Sequence, residues 1–274
     1  MNLTNNDKLF VAAIFVIALA ISIASSLVNQ QIWLAVSLAS IAALLAGIQL
    51  ETYRRTQQTF KEQKQMYWHG YKQIESMFSI VEFIKPKFPL PEMREWAVSP
   101  DLAKILLDII LEKKPQVILE TGSGTSTLII AYALQKNGSG KIFSLENNEK
   151  YAEKTRENIR KHGLEDFVEV VYAPLKELPI KGKTWQWYDT SILPEIKTID
   201  LLIVDGPKRT LQPMSRYPAM PLVFDKLTDR AIVVLDDFNT DEEKAMVNLW
   251  VKEFKGFDRE KIKTEKETMI LRKK

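Results

Sequence analysis

The hydrophobic pattern divides the chain into three regions. No charged residue falls between Leu9 and Leu50. Residues 9–28 and 32–50 are apolar runs of about 20 residues, the length that crosses a bilayer core as a helix. Only Asn29, Gln30 and Gln31 separate them. Backbone cannot cross lipid unpaired, so the pattern predicts two helices joined by a polar turn. Ala35, Ser37, Ala39, Ser40, Ala42, Ala43, Ala46 and Gly47 would let the pair approach closely. Residues 51–84 are polar and lack proline, with Tyr53, Phe60, Tyr67, Ile74 and Val81 spaced seven apart and Tyr71 and Phe78 widening the stripe. This predicts a helix with one apolar edge, which either self-associates or packs on its own domain. Pro86, Pro89 and Pro91 break it.

From residue 96 the period changes. Short apolar runs at 117–119, 142–145, 168–172, 201–204 and 232–235 read as strands. Helical patterns at 102–112, 127–135 and 150–161 alternate with the first three, and Ser99-Pro100-Asp101 marks a helix start. Residues 257–272 read as two more strands joined by the charged turn Glu265-Lys266-Glu267. Continuous apolar strands separated by helices predict an α/β fold, a doubly wound, mainly parallel sheet of seven strands covered on both faces. The expected division is therefore 1–50, a transmembrane hairpin, then 51–95, a juxtamembrane helix and linker, then 96–274, one globular domain.

Charge matters by position. Lys plus Arg number 38 and Asp plus Glu 35 among 274 residues, a formal +3, so no nucleic-acid partner is expected. Lys8 precedes the first run, and Arg54, Arg55, Lys61 and Lys64 follow the second. The positive-inside rule then predicts a multi-pass inner-membrane protein with its N-terminus and globular domain in the cytoplasm. The chain has no cysteine and only His69 and His162. That excludes disulfides, a thiolate nucleophile and Cys-ligated zinc, and disfavours a multi-histidine metal site. His69 reads as structural and His162 as a surface residue at a helix end.

Ligands of such sheets bind at the carboxyl ends of the strands. There the sequence places Glu120-Thr121-Gly122-Ser123-Gly124-Thr125-Ser126-Thr127, Glu146-Asn147-Asn148, Ala173-Pro174, Asp205-Gly206-Pro207-Lys208 and Asp236-Asp237. The glycines permit a sharp turn and close approach of backbone N–H groups to a ligand. Glu146 stands where a carboxylate accepts both ribose hydroxyls, as in NAD and S-adenosylmethionine sites. A dinucleotide fingerprint would place a third glycine where Thr127 stands, so S-adenosylmethionine is the favoured cofactor.

ILETGSGTST, FSLENN, LLIVDGPK and VVLDDF resemble the motifs of class I S-adenosylmethionine-dependent methyltransferases. WYDTSILP, RYPAMPL and DEEK add a similarity to bacterial enzymes of the small-molecule and glycan type. The resemblance implies a Rossmann-like sheet and cofactor contacts from Glu120, Thr121, Gly122, Ser123, Gly124, Ser126, Glu146, Asn147, Ala173 and Asp205. A narrower similarity is to catechol- and caffeoyl-CoA-type O-methyltransferases, which hold a divalent ion with an Asp after strand four and an Asp-Asn pair after strand five. It implies metal ligation by Asp205, Asp236 and Asp237, and catalysis by Asp205 and by Lys208 as base; Asp237 departs from that pattern by replacing the Asn. Three adjacent carboxylates also call for a neighbouring cation, and Mg²⁺ prefers oxygen ligands. Other readings stay open: Asp205 as a metal-free contact to the cofactor amino group, Asp237 as a helix cap, Lys208 as a solvated loop residue.

Trp185-Gln186-Trp187-Tyr188 either lines a substrate pocket or closes the core, and Arg216-Tyr217 either grips an anionic group or pairs with a surface acid. The expected function is membrane-anchored O-methylation of a small-molecule, lipid or lipid-linked glycan acceptor, with the bilayer as partner and homo-oligomerisation through the hairpin and residues 51–84. The alternatives are a cofactor-binding membrane scaffold and an NAD-dependent oxidoreductase.

Overall fold

The computed structural model describes residues 5–25, 30–93 and 95–274, with side chains described from Ala13 to Ala24 and from Ile32 onward. The chain forms two compact units, Met1–Trp68 and His69–Lys274. Residues 69–95, expected as juxtamembrane helix and linker, therefore belong to the globular unit.

In the first unit, α1 spans Asn5–Ser25 and α2 begins at Gln30, running unbroken to Ile84. Trp33 Nε1 donates to the Ser22 carbonyl at 3.3 Å, which brings the two helices together. Phe15, Leu19, Ile23, Leu34, Leu38, Ile41 and Leu45 are exposed. Among the described residues one helix, α2, is long and apolar enough to cross a membrane; the described apolar part of α1, Ala13–Ala24, is shorter than a span. The expected pair of full spans is thus reduced to one candidate. The end of the first run, 26–28, and Asn29 lie outside the described residues, as does the Lys8 side chain; Gln30 and Gln31 begin α2 and not a turn.

In the second unit, α2 docks by a face other than its heptad stripe. Ile80 and Ile84 enter the core, while Ile74 and Phe78 stay exposed. Lys72 Nζ donates to Asp101 Oδ2 and the Lys263 carbonyl, and Gln73 Oε1 accepts from Asp101 N.

There follow α3 (Pro100–Lys113), β1 (Val117–Thr121), α4 (Thr125–Asn137), β2 (Lys141–Glu146), α5 (Glu149–His162) and β3 (Val168–Tyr172). A hairpin, β4 (Leu175–Ile180) and β5 (Lys183–Tyr188), stands apart as its own antiparallel sheet. Then come β6 (Ile199–Val204), α6 (Ala219–Val223), β7 (Leu227–Leu235), α7 (Asp241–Glu253), β8 (Phe257–Ile262) and β9 (Thr268–Lys273).

The main sheet runs β3-β2-β1-β6-β7-β9-β8, with β9 antiparallel to β7 and to β8. Its apolar runs are continuous because both faces are covered. Leu201, Ile203, Ile232 and Val234 pack toward α3 and α4, while Leu202, Val204, Val233 and Leu235 pack toward α6, α7 and the β4–β5 hairpin. From β1 the chain winds outward through β2 and β3, then returns to wind the other way through β6 and β7. That reversal opens a crevice between β1 and β6 at their carboxyl ends.

Candidate active site

The strand ends beside this crevice are tied together by ladder bonds that continue past the strands. Gly122 N donates to Leu145 O at 2.8 Å, Gly206 N to Thr121 O at 2.8 Å, and Asp236 N to Val204 O at 3.2 Å. Residues far apart in sequence thereby share one edge: Gly122 to Gly124 after β1, Glu146 at the end of β2, Asp205 after β6, and Asp236 and Asp237 after β7.

Gly122 has φ +96°, a left-handed conformation that a side chain would strain. Nothing lies within 4 Å of where a Gly124 Cβ would sit, so this turn is open above the α4 N-terminus. Glu146 pins the turn: its Oε2 accepts from Ser123 N at 3.1 Å and Ser123 Oγ at 3.3 Å, and its Oε1 from Asn148 N at 2.9 Å. An open-topped glycine turn, a helix N-terminus and a facing carboxylate fit a cofactor with a ribose and an amino-acid end.

Several of the residues expected as cofactor contacts are buried in a hydrogen-bonded network beneath the glycine turn. Glu120 is 0% exposed, and its carboxylate accepts from Ser126, Thr127 and Ser144, each at 2.6 Å. Thr127, where a third glycine was considered, also accepts from Gly124 N at 3.0 Å. It thus couples the turn to the buried carboxylate, which glycine could not do. Ser126 is buried against Glu120, and Thr121 Oγ1 donates to Gly206 O at 3.0 Å. Ala173 is buried, its N–H bonded to Glu146 O, while Asn147 lies half-buried beside Glu146.

Burial pushes Glu120 up to about 7, against the three hydroxyl donors that favour its ionised form. The fold therefore prefers the neutral acid. Its stabilisation is complete below the unfolded value near 4.5 and lost as pH rises through 7. Stability should fall by on the order of 3 kcal/mol between pH 4.5 and 8 through this group. Chemical unfolding of the full chain across that range should show the drop, and Glu120→Gln should remove it; identical pH profiles for the two would contradict the assignment.

The carboxylates of Asp205, Asp236 and Asp237 do converge, offering ligand atoms within 4.8 Å of one another. Two cations already sit among them. Arg216, 3% exposed, pairs with Asp237 Oδ2 at 2.8 Å and Asp205 Oδ1 at 3.5 Å and donates to the Asp236 carbonyl at 3.0 Å. Arg216 thus pairs with acids of the site and not with a surface acid, and its donors are turned inward. Lys266 Nζ lies 4.0 Å from Asp236 Oδ2 and 3.9 Å from Asp237 Oδ1. Asp237 takes φ +60°, its carboxylate accepts from Arg216, and the α7 cap is Thr240, whose Oγ1 accepts from Glu243 N. Both Asp236 oxygens are buried without a hydrogen-bond partner, and burial pushes this group up to about 8.

Lys208 is exposed, its ammonium 5.1 Å from the centre of the Trp96 ring, and Trp96 is 74% exposed. Trp185, Trp187 and Tyr188 are buried, so the aromatic insert closes the core; Trp185 stacks on Tyr217 at 4.8 Å. Tyr188 also reaches the site, its hydroxyl against Gly206. His162 is buried, its Nδ1 2.6 Å from the Tyr132 hydroxyl, correcting the surface expectation. Sequence reasoning passed over Lys266, which looked like one charge in a turn.

Comparison with known proteins agrees with this architecture. Residues 119–238 match the family profile described as a methyltransferase domain. Among solved structures, SAH-bound PaMTH1, a methyltransferase of Podospora anserina, is 18% identical, with 73% of this chain and 88% of that one covered and a TM-score of 0.51. Cofactor-bound Rv0187 from MTB is 20% identical, covering 73% and 88%, with a TM-score of 0.51. A Staphylococcus aureus protein provisionally assigned as a caffeoyl-CoA O-methyltransferase is 14% identical, covering 73% and 92%, with a TM-score of 0.50. These likenesses establish the fold. No curated protein matches the chain significantly. Fold and domain match together define the class: the globular unit is an S-adenosylmethionine-dependent methyltransferase domain. They lend nothing to the nicotinamide alternative.

Proposed function

We propose that this chain is a membrane-anchored O-methyltransferase acting on the hydroxyl of a small-molecule, lipid or lipid-linked glycan acceptor. The observation that carries the proposal is the shared edge itself. An open glycine turn pinned by Glu146 lies one strand from a carboxylate cluster that can receive a hydroxyl. Glu146 takes the ribose hydroxyls, the 122–124 turn receives the amino-acid end, and Asp205 faces the amino group. S-adenosylmethionine held there would supply the methyl group to the acceptor oxygen and leave as S-adenosylhomocysteine, and a carboxylate of the cluster would take the hydroxyl proton. The protein's part is mainly positioning. Transfer to oxygen is supported by the name of the Staphylococcus aureus neighbour and by the acid cluster.

The apolar part of α2 supplies the anchor, and Arg54, Arg55, Lys61 and Lys64 beyond it favour a cytoplasmic methyltransferase domain. Anchoring raises the local concentration of an acceptor that is itself at the membrane. The purified full chain, incubated with membrane extract and methyl-labelled S-adenosylmethionine, should place label in the lipid fraction. Label confined to soluble metabolites would overturn the role of the anchor; failure to bind S-adenosylmethionine by calorimetry would overturn the enzyme reading in favour of a scaffold.

A further inference from the structure

The acid cluster carries its own cations, and they face four of its carboxylate oxygens. Of its six carboxylate oxygens, Asp205 Oδ1 and Asp237 Oδ2 face Arg216, and Asp236 Oδ2 and Asp237 Oδ1 face Lys266. Only Asp205 Oδ2 and Asp236 Oδ1 face neither. Mg²⁺ demands close, near-octahedral oxygen ligation and gives up its waters reluctantly. Entry here would set a dication beside a buried guanidinium. That guanidinium cannot lose its proton. Nor is it free to swing away, because it also donates to the Pro207 and Asp236 carbonyls. The residues present therefore do not fit a resident divalent ion. The replacement of Asn by Asp237 has a local reason: a carboxylate at this position pairs with Arg216, and an amide would leave that charge less compensated.

We propose that Arg216, backed by Lys266, is the resident cation of this centre in place of a divalent metal, and that it orients Asp205 and Asp237 so that Asp236 receives the acceptor hydroxyl. Asp236 is 1% exposed, and its oxygens have no donor. A buried acceptor left without a donor is costly, and a substrate hydroxyl supplies the missing one. Arg216 acts through the carboxylates and is a positioning residue; Asp236 is the group that touches the acceptor. The inference rests on the methyltransferase reading above, and it adds that transfer is independent of divalent metal.

The test is Mn²⁺ binding to the purified full chain, followed by electron paramagnetic resonance, with S-adenosylmethionine binding measured on the same sample by calorimetry. The wild-type chain should show no carboxylate-dependent Mn²⁺ site tighter than about 1 mM, and transfer should survive a chelator. Arg216→Met uncovers the acids and should gain Mn²⁺ affinity of at least about tenfold, which Asp236→Asn should abolish in that background. A merely structural arginine predicts no such gain. Arg216→Lys keeps a cation and should stay metal-free, so it serves if the Met variant does not fold. Wild-type Mn²⁺ binding below about 100 μM that Asp236→Asn removes would overturn the proposal. Loss of S-adenosylmethionine binding in every sample would overturn the underlying reading instead.

Discussion

Glu146→Ala should raise the dissociation constant for S-adenosylmethionine by about 100-fold or more. The carboxylate stands at the end of β2 facing the glycine turn, and under the proposed function it accepts from two neighbouring ribose hydroxyls. A hydrogen bond to a charged group contributes about 1.5–3 kcal/mol, so losing two at the lower bound costs about 3 kcal/mol. Each 1.4 kcal/mol is about tenfold in affinity. Glu146 also accepts from Ser123 N and Asn148 N, so its removal loosens the glycine turn as well. Glu146→Gln keeps one acceptor and should lose only about tenfold. Calorimetric titration of the two variants checks the ordering. An Ala variant within about threefold of wild type would show that the ribose is held elsewhere. The contrast with Glu120 sharpens the test: one acid governs affinity and the other stability, although both end strands on the same edge.

Gly206→Ala should cost at least about 100-fold in methyl transfer, because even ångström-scale misplacement of a positioning loop can cost that much. A Cβ at residue 206 would clash with the Tyr188 hydroxyl oxygen and lie 3.4 Å from the Thr121 carbonyl oxygen. Tyr188 cannot retreat, since its ring is buried on β5 and packs edge-on against Trp187 at 5.3 Å. The strain must then fall on the loop after β6, which carries Asp205. Overpacking of this kind costs about 1–3 kcal/mol in stability as well. Tyr188→Phe removes the offending oxygen and leaves the ring carbon 3.3 Å away, a tight but adjustable contact. The double variant should therefore recover most of the lost activity, giving a coupling energy of about 1–3 kcal/mol in a double-mutant cycle. Additive losses would show that Gly206 is needed for some other reason.

The extent to which the site was legible follows from how locally each part is encoded. The glycine turn, Glu146 and the acids after β6 and β7 could be read because each directly follows an apolar run whose end marks the ligand edge. The β4–β5 hairpin was missed as a pair of strands. Its alternation is interrupted by Pro179, and its partner is local, outside the parallel sheet that set the reading. For Glu120 the local pattern leaves the direction open, because a carboxylate at a strand end points either up to the ligand edge or down into the core. Only the hydroxyls of Ser126, Thr127 and Ser144, assembled from α4 and β2, settle which. The heptad stripe of α2 was visible, yet the packed face is the one bearing Ile80 and Ile84, because α3 and α4 present their apolar sides there.

By itself the sequence determined the class of fold, the split between an uncharged N-terminal region and an alternating α/β domain, and the edge on which chemistry gathers. Period and burial are properties of neighbouring residues, and the chain states them directly. Only the tertiary structure decided what the acids are paired with. Arg216 and Lys266 come from separate loops, and their approach to Asp205, Asp236 and Asp237 depends on strand order and loop path, which no local pattern encodes. Electrostatic balance in a buried site is set by distance in space, so the counter-charges become visible only when the chain is folded.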